Sequence, residues 1–180
     1  MDGTVRVWNL QDGACKHTLT EHTSIVGLLG LSPSHLVSAS ADSTLRIWDP
    51  ETGELRHTLA RHTGAVTCFQ HDEFKVLSGS DESLKMWNVE DGTVVRDLLT
   101  GITGVWQVAF EGQWCVAAVN RNGATMLDVW DFGNEEDGDR IGDPPLGMHD
   151  EDGSSEAEDE DEDELGTVRI RRMTNTSGGI

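Results

Sequence analysis

Four tryptophans, Trp8, Trp48, Trp87 and Trp130, close four near-copies of one phrase, VRVWN, LRIWD, LKMWN and LDVWD, at spacings of 40, 39 and 43 residues. A chain that repeats itself at a fixed period of about 40 residues builds like units side by side, each burying its faces against its neighbours. Within each copy apolar and polar residues alternate and β-branched residues are dense, the pattern of a half-buried strand. Asp12-Gly13, Thr52-Gly53 and Asp91-Gly92 recur at matching places and supply the positive φ that a tight hairpin needs. The pattern predicts strands over 1–10, 15–20, 25–31, 36–40, 45–49, 55–59, 66–71, 76–80, 84–89, 94–99, 105–111, 114–120 and 126–132, after which the series stops.

The period and the Trp-Asp ending resemble the WD-repeat family, whose members are β-propellers of four-stranded blades. The resemblance covers 1–133 and implies an all-β fold, a partial β-propeller of about three to four blades: half a blade, two full blades and three strands of another, with the ring not closed. Closed propellers carry about four to eight blades, so the expectation is an N-terminally truncated chain in which residue 1 is an internal start. A ring completed by a second chain is the alternative.

The same resemblance implies a hydrogen-bonded tetrad inside each blade. His22, a serine at Ser38 or Ser40, Asp42 and Trp48 make one set; His62, Ser78 or Ser80, Asp81 and Trp87 make the next. Ser, His and Asp together also suggest a nucleophilic triad. A set that recurs once per blade and includes an indole donor is structural, because a catalytic group occurs once and faces substrate. The copies depart from the family pattern in places. Glu21 and Arg61 stand before the histidines where Gly is usual, and Ser78 to Trp87 is nine steps where Ser38 to Trp48 is ten. In the last repeat Gly101-Ile102 replaces Gly-His and no Asp lies six before Trp130, so that tetrad is absent and the last blade is expected to be the softest.

Finer phrases are similar to the C-terminal blades of F-box and WD-repeat proteins of the cell-division-control type, the substrate receptors of cullin-RING ubiquitin ligases: LVSASADSTLRIWD, AVTCFQ, Val105-Trp106-Gln107-Val108 and Asn120-Arg121-Asn122-Gly123. The resemblance implies a binding module for phosphorylated degrons, with Arg121 as a phosphopeptide contact and Ala41 at the comparable turn of its own blade. The ligase adaptor would be reached only through a missing N-terminal part, since no F-box is present. The alternative is a scaffold propeller of another complex, in ribosome or chromatin assembly, whose acidic tail holds basic proteins.

Charge separates the parts. Of the net −20, residues 134–165 carry sixteen acids against Arg140 alone, and 166–180 carry three arginines, leaving −8 on the repeats. Folded nucleic-acid surfaces are normally basic, so no nucleic acid is expected on the folded part. The organisation is therefore 1–133 partial propeller, 134–165 acidic disordered tail and 166–180 a short C-terminal segment with basic residues. Cys15, Cys68 and Cys115 read as reduced core residues. With no apolar run of spanning length and no secretion signal, neither membrane contact nor export is expected, and the compartment is cytoplasm or nucleus. No metal spacing, no phosphate-cradling loop and no isolated carboxylate pair occurs, so the sequence predicts no cofactor, no metal and no catalysis.

Overall fold

A computed structural model describes residues 2–133 and the backbone of 168–172; the acidic tail expected over 134–165 lies outside the described residues. The strands form one two-stranded and three four-stranded sheets. β1 (Val5–Trp8) and β2 (Cys15–Leu19) make the half-blade. β3 (Val26–Leu31), β4 (Leu36–Ser40), β5 (Leu45–Trp48) and β6 (Leu55–Leu59) make the first full blade, and β7 (Val66–His71), β8 (Lys75–Ser80), β9 (Ser83–Asn88) and β10 (Val94–Thr100) the second. The last sheet runs β11 (Gly104–Glu111), β12 (Trp114–Arg121), β13 (Ala124–Asp131), β14 (Val168–Arg172).

The residue after each tryptophan explains why the chain turns there. Asn9, Asp49 and Asn88 accept a bond through the side-chain oxygen from the N–H two residues on, at 2.8–2.9 Å, and Asp131 does the same for Gly133 at 2.8 Å. These are Asx turns, which hold the backbone for the return strand. In the first three copies the turn ends on Gly13, Gly53 and Gly92 with φ of +70°, +76° and +69°, where a side chain would be strained.

The last sheet overturns one expectation. The series does not stop at a third strand, because Val168–Arg172 within the basic C-terminal segment lies along β13, from Leu127 opposite Val168 to Asp131 opposite Arg172. It runs parallel, whereas the outer strands of the other three sheets are antiparallel to their neighbours. The short turns after Trp8, Trp48 and Trp87 can only reverse the chain, while the 36 residues between Asp131 and Val168 are long enough for a crossover.

Three apolar clusters sit between successive sheets, each holding one tryptophan. Trp48 packs with Val5, Leu19 and Leu36; Trp87 with Val37, Ile47, Leu59 and Val76; Trp130 with Leu77, Leu84, Leu98 and Val119. An indole buried to this depth removes on the order of 200 Å² from water and contributes roughly 5 kcal/mol before entropy. Trp8 stands in the two-stranded sheet and is 52% exposed. Cys68 and Cys115 are buried, but Cys15 is exposed, contrary to its expected place in the core: β2 is an outer strand that buries only its last residue, Leu19. All three thiols are free.

Polar contacts fix one sheet against the next. His17 on β2 bonds the Glu51 carbonyl in the following blade's turn through Nε2 at 2.8 Å, and His57 on β6 bonds the Glu90 carbonyl at 2.8 Å in the same way. The imidazoles lie on Gly53 and Gly92, where a Cβ would come within 2.7 and 2.8 Å of the ring, so both turns need glycine for approach as well as for φ. At the inner strands Gln70 bonds both the N–H and the carbonyl of Phe110, at 2.8 and 2.9 Å. No helix among the described residues is long and apolar enough to cross a membrane.

Candidate functional site

The sequence brings His22, Ser38, Asp42 and Trp48 together from four separate places in one blade. Trp48 Nε1 donates to Ser38 Oγ at 2.9 Å, Ser38 Oγ lies 2.8 Å from His22 Nε2, and His22 Nδ1 lies 2.9 Å from Asp42 Oδ2. One proton arrangement satisfies every member: indole N–H to serine, serine O–H to a neutral imidazole, and Nδ1–H to the carboxylate. Of the two serines open at the outset, Ser38 takes this place; Ser40 Oγ instead accepts from the Asp42 N–H at 3.1 Å. Burial by itself would raise the Asp42 carboxyl, but bonds from Thr44, His22 and the Thr23 N–H outweigh it and hold the group well below the usual carboxylate range. Asp42 thereby fixes the turn between β4 and β5.

The second set differs at its acidic end. Trp87 Nε1 donates to Ser78 Oγ at 2.8 Å and Ser78 Oγ lies 2.7 Å from His62 Nε2. His62 Nδ1 then faces Ser80 Oγ at 2.8 Å and Ser83 Oγ at 3.2 Å, and the Ser80 hydroxyl donates onward to the Asp81 carbonyl at 2.9 Å. Asp81, expected to fill the position of Asp42, is exposed instead. The turn between β8 and β9 is one residue shorter, which brings Ser83 against the imidazole and leaves the carboxylate at the rim. Burial first, and then the nearby Lys85 ammonium, push His62 down to about 4 against a weaker pull from Asp97. A carboxylate-terminated relay and a hydroxyl-terminated one thus occupy equivalent sites.

In the last blade the register shows what replaces the set. Cys115 lies opposite Trp130 as Leu36 lies opposite Trp48 and Val76 opposite Trp87, so Ala117 holds the place of Ser38 and Ser78. Ile102 is buried in place of histidine. The Trp130 indole is fully buried and its Nε1 has no partner. Counting four residues on from the serine position reaches Asp42 in one blade and Arg121 in the other, so the counterpart of Arg121 is Asp42 and not Ala41.

Arg121 ends β12, and the two residues after it, Asn122 and Gly123, carry φ of +52° and +85°. Two consecutive positive φ values in an Asn-Gly loop make the primed turn whose twist matches a hairpin. The Arg121 guanidinium does not stand free. Nη2 bonds Asp128 Oδ2 at 2.7 Å, with the aspartate side chain fully buried and the arginine side chain 22% exposed. Sequence reasoning passed over Asp128, although the signal was there: the residue two before each tryptophan is Arg6, Arg46, Lys85 and then Asp128, a reversal of charge in the last copy alone. Asp128 sits opposite Ala117, as Arg46 sits opposite Ser38 and Lys85 opposite Ser78.

This arrangement can fix turns and present one cationic fork; it lacks the pieces of a nucleophile's site. The triad-like serines are buried within sheets, and burial raises the Cys68 thiol and pushes Cys115 up to about 12, away from thiolate chemistry. No group of metal-ligating side chains occurs among the described residues. A cleft of about 450 Å³ is lined by Lys75, Leu77, Met86, Gly112, Gln113 and Phe132. It is largely apolar, and its one cation is engaged by Asp72 at 2.6 Å and by the Phe110 ring at 4.3 Å.

Residues 13–49 and 53–88 match the family described as "WD domain, G-beta repeat". The chain is 56% identical over 138 residues to Cell division control protein 4 of Candida albicans, covering 73% of this chain and 20% of that protein. It therefore spans about a fifth of that relative's length. It is 36% identical over 154 residues to Regulator of rDNA transcription protein 13 of Saccharomyces cerevisiae, covering 73% of this chain and 83% of that protein. Among solved structures, the computationally designed Ika4 protein matches with a TM-score of 0.66 and 27% identity, over 73% of this chain and 81% of that one.

Proposed function

The chain belongs to the WD-repeat family, and we propose that it is the substrate-gripping part of a ubiquitin-ligase receptor, in which Arg121 contacts a phosphorylated peptide. The family carries the coarser statement, a protein-interaction module. The observation that carries the finer one is the 56% identity to a cell-division-control protein over a span of 138 residues. Arg121 supplies a chemical reason. A guanidinium is planar and permanently charged, and its paired N–H groups match the oxygens of a phosphate. The corresponding turn of the preceding blade carries Asp81 and Glu82, both exposed, and the repeats are net acidic, so selectivity for a phosphate must come from placed donors. The work is binding, without catalysis, and the adaptor of the ligase would be engaged by another part of the receptor.

The test is calorimetry of the 180-residue chain with a threonine-proline peptide, phosphorylated and unphosphorylated, for the wild type and Arg121→Ala. A preference for the phosphopeptide that disappears in R121A supports the reading. Equal binding of both peptides by both proteins sinks it.

A second reading has one observation in its favour. The chain covers 83% of Regulator of rDNA transcription protein 13, and a scaffold role in such a setting would use residues 134–165 to hold basic proteins. Capture of a histone or basic ribosomal peptide that is abolished by deleting 134–165, with no phosphate preference at Arg121, is its expected outcome.

A further inference from the structure

We infer that Asp128 is a positioning residue: its buried carboxylate holds the Arg121 guanidinium at the end of the last sheet, in the orientation in which it receives a phosphate. The inference rests on the reading of Arg121 as a phosphopeptide contact and adds the residue that would make that contact selective.

Three observations carry it. First, the last blade exchanges charges between two register positions. Asp42 and Arg46 in the first full blade become Arg121 and Asp128, so the acid lies inside the sheet and the base at its end. Second, the anchor is rigid. Asp128 is central in the eight-residue strand β13, paired with Ala117 and inaccessible to solvent. An arginine beside a two-residue turn would otherwise sample many rotamers, and fixing it beforehand removes part of the ordering cost at binding. Third, the guanidinium is held by one corner only. Nη2 reaches Asp128, Nε is buried without a partner, and about a fifth of the side chain stays open, at 22% exposure. An arginine serving only as counter-ion would close its fork in two parallel bonds; this one makes a single bond to the carboxylate and leaves the exposed part of the fork for a phosphate.

The experiment uses the full 180-residue chain, labelled with nitrogen-15, as wild type, Asp128→Asn and Arg121→Ala. The probes are a threonine-proline peptide with one phosphothreonine and its unphosphorylated twin. Wild type should show a slowly exchanging Arg121 Nη2–H signal, identified by its loss in R121A. D128N should lose that signal and bind the phosphopeptide about tenfold more weakly, with no change for the unphosphorylated twin. An Arg121 signal unchanged in D128N overturns the inference. So does phosphopeptide binding as tight as wild type or tighter, the direction Coulomb's law requires if Asp128 merely repels the phosphate. Should wild type bind no phosphopeptide while D128N still releases the Arg121 signal, the phosphopeptide reading fails and the hold of Asp128 on Arg121 stands. If D128N does not fold, Asp128→Glu keeps the charge and moves it by one methylene. Weaker phosphopeptide binding with the unphosphorylated twin unaffected then supports the placement, and wild-type affinity overturns it.

Discussion

The blade closed by Trp87 and the blade closed by Trp130 bury the same large side chain to the same depth and treat its N–H in opposite ways. In one, the indole donates to Ser78 and the bond is passed through His62 to Ser80. In the other, Ala117 and Ile102 leave the Trp130 indole without an acceptor, and the polar capacity of the sheet is found in the Arg121–Asp128 pair and a tight Asn-Gly hairpin. A repeat position can thus be released from its structural duty where the turn is secured by an Asn-Gly hairpin whose Gly123 N–H also donates to Asn120 Oδ1 at 3.2 Å. What is a turn-fixing acid in one blade, Asp42, is a base in the other, Arg121, paired with Asp128.

The comparison breaks most readily at Ser78. Its hydroxyl serves two buried partners, and Ser78→Ala should cost about 3 kcal/mol, since each orphaned group costs roughly 1–3 kcal/mol. Urea unfolding followed by tryptophan fluorescence reads this, and a cost below about 1 kcal/mol would mean that the relay matters no more than its absence in the last blade. Acid is the next lever. His62 is held at about 4 from an ordinary 6.5 and is neutral when folded. The stability it contributes is therefore full above pH 6.5 and falls as the pH drops toward 4, with about 2 kcal/mol lost by pH 5. Protection of the Trp87 indole N–H against exchange, taken relative to the intrinsic rate at each pH, should fall from pH 7 to pH 5 more than that of Trp130, whose blade has no histidine at that place; an equal fall would contradict the assignment.

Adding what the last blade lacks should narrow the gap. Ala117→Ser offers Trp130 Nε1 an acceptor and is expected to add about 1 kcal/mol and slow exchange of that indole. The smallest effect lies in the turns. Glu82 adopts φ of +73° without being glycine, whereas Gly123 adopts +85° as glycine. Glu82→Gly should gain about 0.5 kcal/mol and Gly123→Ala should lose about 1 kcal/mol, both readable as shifts in urea midpoint.

Much of the fold was legible because its signals are local. The tryptophan period, the Asx residue after each tryptophan and the glycines of the turns mark the strands after the first within a residue or two, while the first, expected over 1–10, is confined to Val5–Trp8. Interactions set by register were harder. Ser38 and Ser40 could not be told apart in sequence, because both lie on β4 and only pairing with β5 decides which one meets the indole. Asp81 was misplaced because a turn shorter by one residue moves Ser83, and not the acid, next to His62. The parallel strand β14 follows a long acidic stretch and pairs with residues some forty positions earlier, so no local periodicity announces it. Cys15 was misjudged because an outer strand looks as apolar in sequence as an inner one while lacking a neighbour to cover it. Asp128 could have been found by comparing charges copy by copy at the place two before the tryptophan.

The histidine contacts of β2 and β6 have a consequence for how the molecule resists being pulled apart. Both reach forward, from the rim of one unit onto the backbone of its successor, and neither reaches back. The units overlap like roof tiles laid in one direction, so a tile cannot be exchanged alone: its own hook and the bare glycine seat of the tile after it must travel together. On β10 the same position, opposite the residue before the tryptophan, is held by Arg96 in place of histidine.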